Sequence, residues 1–188
     1  MLEVDDSGWG CPIGGVLVGI YRRESEEFVS GVVPVRCFQP PAFGEREYLE
    51  RVRRLARHLM AQLRVHPREL IRVCRGPLFQ ELRGELYKRR LNFQPADIEQ
   101  TAQQLVEKAF AQQLNRLGIP PELLERFGHG HPGARFHALL AWVAEDFPGR
   151  LRYCKTGWAS WPKWEKEIRQ VCTRNAQKEV GTDLNLSP

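Results

Sequence analysis

Long apolar runs and closely spaced cysteines are both missing from this chain of 188 residues. No stretch approaches the roughly 20 consecutive apolar residues that a membrane-spanning helix requires, and the N-terminus lacks the basic and then apolar pattern of an export signal. The cysteines are odd in number and none are close neighbours, which argues against a disulfide framework and against a thiolate zinc site. They are Cys11, Cys37, Cys74, Cys154 and Cys172. We therefore expect a cytoplasmic protein with reduced cysteines and without a membrane partner.

Familiar enzyme signatures are missing too. Several glycines cluster between Gly8 and Gly15, but no Gly-Lys-Ser/Thr follows them, and they lead into an apolar strand rather than a helix. Serine nucleophile elbows and Cys/His pairs with recognisable spacing do not occur. The common nucleotide-binding loops and hydrolase triads are therefore excluded, and we find no internal repeat.

The composition predicts one domain with an uneven charge. A content of 42% apolar and 27% charged residues is that of a soluble globular protein with a proper core. We expect a single domain over residues 1–174 and a flexible tail over 175–188, where the apolar periodicity ends. Residues 44–90 contain 13 Lys and Arg against 6 Asp and Glu. This excess is typical of a surface that meets phosphates, although a solvated basic helix gives the same pattern.

Two adjacent carboxylates, Asp5 and Asp6, mark the N-terminal region. They end a short apolar strand and precede the glycine-rich turn, after which a second apolar run begins at Val16. Because successive strand residues point to opposite faces, one of the two acids should point into the rim of the sheet. An ionised group is tolerated there only if it is paired, hydrated or bound to a cation. A divalent metal ion is one such partner.

A family resemblance is carried by the segment Asp5-Asp6-Ser7-Gly8-Trp9-Gly10-Cys11-Pro12. It resembles the opening of ribonuclease HII, which reads Asp-Glu-Ala-Gly-Arg-Gly, and more loosely the first hairpin of ribonuclease H-like and RuvC-like nucleases. Asp6 stands where that family has Glu, and Trp9 replaces an arginine that contacts the substrate backbone, so the family's substrate preference does not transfer. The resemblance implies a ribonuclease H-like fold with Asp5 as the metal ligand on the first strand.

The order of predicted elements agrees with that fold. Strands are predicted at 2–6, 15–22 and 27–35 as an antiparallel meander, followed by a helix at 45–64 and a fourth strand at 69–75. After a crossover helix the fourth strand should pair in parallel with the meander. We therefore predict an α/β fold of the ribonuclease H-like type. It has a mixed five-stranded sheet, with an antiparallel three-strand meander and then parallel strands, flanked by helices.

The second half of the chain alternates helices and short strands. The predicted elements are a helix at 76–89, a short strand at 91–93, a helix at 96–117, a helix at 134–146, a strand at 150–155 and a final helix around Ile168 and Val171. Pro95 is assigned to the first turn of the helix at 96–117. His129 and His131 lie in a loop that either is simply polar or, with His137, binds a transition metal. Trp158, Trp161 and Trp164 fit either a packed seam under the last helix or a base-stacking platform.

Further metal ligands are predicted from the ends of elements. A ribonuclease H-type site needs three or four carboxylates that hold two divalent cations, and in the family a second acid usually follows the fourth strand or comes from the crossover helix. Here the fourth strand ends Val73-Cys74-Arg75-Gly76, which argues against catalysis. Asp97 and Asp146 are the preferred substitutes because sites on open α/β sheets collect at element ends. For Asp97 and Glu99 the alternative role is favourable charge in the first turn of a helix.

The predicted site therefore consists of Asp5, Asp6, Asp97 and Asp146 as catalytic metal ligands for Mg²⁺ or Mn²⁺, which oxygen ligands favour. Nucleic acid, either DNA or RNA, is the predicted partner. The side chains predicted to bind it are Arg53, Arg57, Arg75, Lys155 and Trp158. The predicted function is a divalent-metal-dependent nuclease or nucleic-acid-processing protein. One alternative is a protein of the same fold that only binds nucleic acid or a protein, and another is a small-molecule enzyme or regulator.

Overall fold

A five-stranded mixed sheet forms the centre of the protein in the computed structural model, which describes residues 1–125 and 132–183. In chain order the strands are β1 (Leu2–Ser7), β2 (Val16–Arg22), β3 (Glu27–Val33), β4 (Ile71–Cys74) and β5 (Phe93–Ala96). Their order in the sheet is β3-β2-β1-β4-β5. The first three form an antiparallel meander, whereas β4 pairs in parallel with β1, and β5 with β4. The predicted α/β class and strand arrangement are confirmed.

Helices cover both faces of this sheet. In chain order the α-helices of the described residues are α1 (Glu47–Gln62), α2 (Gln80–Lys88), α3 (Thr101–Arg116), α4 (Pro121–Glu125), α5 (Pro132–Glu145) and α6 (Trp161–Asp183). Leu2 and Val4 of β1 lie in an apolar core with α1 and α2, while Leu17 of β2 lies with Val106 and Phe110 of α3 in a second core. Strand residues alternate between the two faces, which explains why neighbouring residues of β2 contribute to different cores. Tyr21 of β2 and Ala96 of β5 lie in a third, smaller cluster with Ile98 and Ala102.

The crossover helix α1 follows from the spacing of its apolar residues. Leu49, Val52, Ala56 and Leu59 recur at intervals of three and four and are all buried, so they form the face that packs on the sheet. A helix in this position allows the chain to return and pair in parallel with a strand it has already formed. As a result, β4 ends at Cys74 next to the end of β1.

The predicted boundary between the fifth strand and the next helix is wrong. Pro95 lies within β5 and not in the first turn of a helix, and α3 begins only at Thr101. Proline is tolerated in this strand because β5 is at the edge of the sheet, where a missing N–H costs no ladder hydrogen bond. Asp97 and Glu99 therefore lie in the connection between β5 and α3, and not in a helical turn.

The predicted strand at 150–155 is also wrong. Leu151–Tyr153 forms a short 3-10 turn, and only Cys154 makes a β-bridge, to Ile13. The segment folds against the β1–β2 connection, where the Lys155 N–H donates to the Pro12 carbonyl at 2.9 Å. The alternation of apolar and polar residues therefore does indicate a half-buried segment, but the segment does not join the sheet.

The last helix, α6, packs through its tryptophans. Trp161 is buried and the ring of Trp164 packs edge-on against Phe136 at 4.9 Å between centroids, so these two tryptophans form the packed seam. The α6 helix continues to Asp183, through much of the segment predicted as a tail, and the domain boundary at residue 174 stays a prediction. His129 and His131 lie outside the described residues. None of the described helices combines the length and the apolar character that crossing a membrane requires.

Candidate metal centre

The end of β1 brings three potential ligands together. Parallel pairing sets Val4 opposite Val73, so the next residues, Asp5 and Cys74, lie side by side at the carboxyl end of the two strands. Each of Asp5, Asp6 and Cys74 offers one ligand atom, and these atoms all lie within 4.8 Å of one another. Asp5 is only 8% exposed, and Asp6 is half-buried. The prediction that a first-strand acid points into the sheet rim is thus met by Asp5.

Two glycines allow this end of the sheet to be tightly covered by α3. Gly8, just after β1, has a φ of +98°, and a Cβ on it would lie 2.5 Å from the ring of Phe110. Gly19 of β2 pairs with Asp5, and a Cβ there would lie 2.7 Å from Val106. Because neither position has a side chain, α3 approaches the strands closely and carries Glu107 near Asp5.

Both aspartates are disfavoured as anions. Burial raises the pKa of Asp5, and the negative charges of Glu107 and Glu3 raise it further, although hydrogen bonds from the Asp6 N–H and the Cys74 thiol oppose this. Burial and the charge of Asp5 raise the pKa of Asp6 to about 7, while Lys155 opposes the shift. A cation bound between the two carboxylates would relieve both the lost hydration and the mutual repulsion.

The Cys74 thiol is part of the same electrostatic system. Burial raises its pKa to about 11, and the nearby charges of Asp5 and Asp6 act in the same direction. Without a cation the thiol is therefore protonated at neutral pH and donates to the Asp5 carboxylate. Two carboxylates and a thiol form a donor set that fits a divalent cation, with oxygen ligands of the kind Mg²⁺ prefers and one sulfur ligand that Mg²⁺ does not.

A cavity of 240 Å³ lies at the end of β1. It begins at Ser7, two residues after Asp5, and lies between the glycine-rich turn, α3 and α5. Its lining includes Ser7, Gly8, Cys11, Glu107, Phe110 and Arg135. The cavity thus combines apolar walls with one guanidinium and one carboxylate. Such a lining suits a ligand that has an apolar part and an anionic part.

Lys155 is fully buried below the glycine-rich turn. Its ammonium donates to the Gly8 carbonyl and lies 5.0 Å from the ring centroid of Phe38 and 5.6 Å from that of Trp158. Burial lowers its pKa to about 8, and its positive charge acts on Asp6. In this position Lys155 fixes the turn that follows the acidic strand, and nucleic-acid binding by Lys155 or Trp158 stays a prediction.

The predicted arginines differ in their surroundings. Arg53 pairs with Glu50 at 2.6 Å and also with Glu85, and Arg57 pairs with Glu85 at 3.2 Å. These two arginines therefore connect α1 with α2. Arg75 follows directly after Cys74 at the carboxyl end of β4 and is largely exposed.

Asp97 and Asp146 do not join the centre at β1. Asp97 is largely exposed and pairs with Arg75 at 3.4 Å, and Asp146 follows α5, where it lies beside Gly149. Among residues 1–125 and 132–183, the group of ligands that could hold a metal ion contains neither of them. A catalytic role for these two acids stays a prediction. The residues that sequence reasoning overlooked are Cys74 and Glu107.

Comparison with known proteins adds no relative, since neither a family model nor a curated protein matches the chain. The sheet order 3-2-1-4-5, with a meander followed by parallel strands, is consistent with a ribonuclease H-like fold. Asp5 and Asp6 lie on the first strand of that sheet.

Proposed function

We propose that the protein is a divalent-metal-dependent phosphodiester hydrolase that acts on nucleic acid. The observation that carries the proposal is the meeting of two carboxylates, Asp5 and Asp6, at the end of the central strand, with both pKa values raised. Perturbed acids next to a cavity are a common sign of a functional site. The ribonuclease H-like strand order supports the proposal, because the resemblance to those nucleases implies a metal ligand on the first strand.

The residues around the centre would have different roles in this reaction. Asp5 and Asp6 would hold the cation, which when bound supplies Lewis acidity toward a phosphodiester and makes water more nucleophilic. Lys155 holds the turn at Gly8 and so fixes the chain that follows Asp6. Arg135 lines the adjoining cavity, where a guanidinium is suited to two hydrogen bonds with a phosphate.

A positive charge at the carboxyl end of β4 supports a nucleic-acid polymer as the partner. Arg75 is exposed, and within residues 1–125 and 132–183 its ion-pair partner is the exposed Asp97. Exposed ion pairs are weak in water, so Arg75 is able to exchange Asp97 for a phosphate at small cost. Arg53 and Arg57 are already occupied by Glu50 and Glu85, which makes Arg75 the better phosphate contact.

The test combines metal binding with cleavage. The melting temperature is measured with and without millimolar Mn²⁺, Zn²⁺ or Mg²⁺, and DNA, RNA, hybrid and junction substrates are offered under the same conditions. We expect a metal-dependent rise in melting temperature and cleavage of at least one substrate, both lost in Asp5→Asn. Glu45→Gln, a change at an exposed acid, is the matched control and should keep both. If no cation stabilises or activates the protein and Asp5→Asn changes nothing, the proposal is wrong.

A second candidate is a protein of this fold that binds nucleic acid without cleaving it. The observation that favours it is Cys74, since β4 ends in a thiol where the ribonuclease H-like family usually supplies an acid. This candidate predicts oligonucleotide binding that weakens steeply with salt, but no cleavage with any cation.

A further inference from the structure

We propose that Cys74 is itself a metal ligand and that the centre therefore selects a thiophilic transition-metal ion, such as Zn²⁺ or Co²⁺, over Mg²⁺. This inference deepens the proposed function and rests on the metal centre assigned there. It also changes the cofactor expected from the sequence, because the carboxylates predicted as ligands favour Mg²⁺ or Mn²⁺.

The backbone register gives Cys74 the position of a ligand. In a parallel pair, neighbouring residues at the strand ends point their side chains the same way, and Cys74 is the residue of β4 that neighbours Asp5. Zinc holds thiolate sulfur at about 2.3 Å and carboxylate oxygen at about 2.1 Å, so a shared ion draws such atoms to within about 4 Å of one another. The three ligand atoms already lie within 4.8 Å of one another, close to that spacing.

The side chain of Asp5 is a second, independent observation. More than nine-tenths of this residue is buried, and its carboxylate faces the thiol. None of the lysines and arginines in the described residues forms a salt bridge with Asp5 or Asp6, although ion pairs occur elsewhere in the same strands. Among the described residues, the hydrogen-bond donors to this carboxylate are a thiol and a backbone N–H, and these compensate a buried charge poorly.

The other cysteines show what a purely structural thiol looks like here. Cys37 and Cys154 are almost completely buried within the apolar cores. Cys172 is half-buried, and its thiol donates to the Ala144 carbonyl at 3.2 Å. Cys74 differs because it lies beside two carboxylates. There a thiolate is favourable only if a cation is bound as well, since the three negative groups otherwise repel one another.

The donor set then decides the metal. Mg²⁺ requires oxygen ligands in near-ideal octahedral geometry, whereas a thiolate with carboxylates suits zinc and its neighbours in the transition series. As the ion binds, the thiol releases its proton to solvent and a sulfur–metal bond forms, with no change of oxidation state. Any remaining positions on the ion are left for water or a phosphate oxygen.

The experiment follows the sulfur–metal bond directly. Co²⁺ is added to the reduced, full-length protein, and the near-ultraviolet charge-transfer band of a cobalt–thiolate bond is recorded. We expect the band to saturate at one ion per chain and to be displaced by Zn²⁺ but not by Mg²⁺. Cys74→Ser should abolish the band and weaken Co²⁺ binding by at least about tenfold. Cys172→Ser is the matched control and should keep the band, and melting of the metal-free variants verifies folding.

A second variant tests selectivity. Cys74→Asp replaces the soft ligand by a hard one, so we expect Mg²⁺ binding to strengthen and Co²⁺ to lose its advantage. The inference is overturned if Co²⁺ binds without a thiolate band, or if Cys74→Ser leaves band and affinity unchanged. A thiolate band without cleavage of any substrate supports the inference and contradicts the proposed function. Cleavage with Mg²⁺ that is indifferent to Cys74→Ser does the reverse.

Discussion

Glu3 and Asp5 are buried acids two residues apart on the same strand, but their neighbours on β4 differ. The neighbour of Glu3 is an arginine, and that of Asp5 is a cysteine. Glu3 accepts hydrogen bonds from Arg72 of β4 at 2.6 Å and from Arg23 at 3.3 Å. Asp5 has Cys74 as its neighbour on β4, and within the described residues no Lys or Arg forms a salt bridge with it. One strand pair therefore neutralises its first acid with a built-in cation and places a thiol, not a cation, beside its second acid.

The Glu85 cluster between α1 and α2 extends the same contrast. Glu85 is mostly buried and is surrounded by Arg53, Arg57 and Arg89. A buried acid with three arginines needs nothing further, and so its role is structural. The acids at the end of β1 have raised pKa values, which means that folding alone does not compensate them. The kind of partner thus separates structural acids from candidates for function.

The largest expected effect comes from removing the built-in cation. Arg72→Ala leaves Glu3 buried with only the more exposed Arg23 as a partner. Because an uncompensated buried charge is costly, we expect the free energy of unfolding to fall by about 3 kcal/mol. Chemical denaturation at neutral pH measures this loss. Arg68→Ala, a change at an exposed arginine, should cost little. A loss at Arg72 no larger than that at Arg68 would contradict the contrast drawn here.

At the other end of the strand, removing an acid should stabilise the metal-free protein. Asp6 has a pKa of about 7 in the folded protein against an ordinary 3.8, so between these values the folded state binds a proton that the unfolded chain has released. The free energy of unfolding therefore falls as pH rises through that range. We expect Asp6→Asn to gain about 2 kcal/mol above pH 7 and almost nothing near pH 4.

The pH series for Asp6→Asn is measured by denaturation in a chelating buffer, with Glu45→Gln as the exposed control. Adding Zn²⁺ should reverse the order, since it stabilises only the protein that keeps the Asp6 carboxylate. A gain that is constant from pH 4 to pH 8 would mean that Asp6 does not titrate in this range. Above pH 8 the burial of Lys155 acts in the opposite direction, because its pKa is lowered to about 8 and stability then rises with pH.

The sequence predicts the part of this contrast that depends on local pattern. Alternation along the strands and the spacing of Leu49, Val52 and Ala56 in α1 are local, and they were sufficient for the meander, the crossover and the parallel fourth strand. The position of Asp5 and Asp6 on the first strand follows from the same pattern. Cys74 was not predicted as a ligand, because the cysteines are far apart in the sequence and the ligands expected of a ribonuclease H-type site are carboxylates. The parallel register of β4 was the signal that could have found it.

The rest of the site and its surroundings depended on contacts between distant parts of the chain. Asp97 was predicted as a ligand from its place near an element end, but its exposed side chain pairs with Arg75. Pro95 indicates a helix start by local preference, and its place in an edge strand is decided by pairing with β4. Glu107 lies near Asp5 because glycines at positions 8 and 19 let α3 approach, and such close packing is not visible in a single sequence.

The Glu85 cluster should respond in the opposite direction to Asp6: there the change from acid to amide should destabilise the protein, and by a smaller amount. Glu85→Gln makes the same chemical change as Asp6→Asn, from acid to amide, but removes a carboxylate that is fully paired with arginines. Because those arginines are partly exposed, water takes over much of the lost interaction, and we expect a loss of about 1 kcal/mol. Glu81→Gln, an exposed change in the same helix, should stay within about 0.5 kcal/mol. A stabilising Glu85→Gln would mean that ion pairing does not distinguish the two regions.

The smallest effect on stability, and the sharpest on binding, is expected at the exposed pair of Arg75 and Asp97. Both side chains are more than half exposed, so Arg75→Gln should change the free energy of unfolding by less than about 0.5 kcal/mol. If Arg75 contacts a phosphate, the same variant lowers the salt dependence of oligonucleotide binding by about one unit of slope. Arg57→Gln is the matched comparison, since Arg57 is committed to Glu85 and should leave that slope unchanged. An equal drop in both variants would indicate that the polymer binds along the basic face of α1 and not specifically beside Cys74.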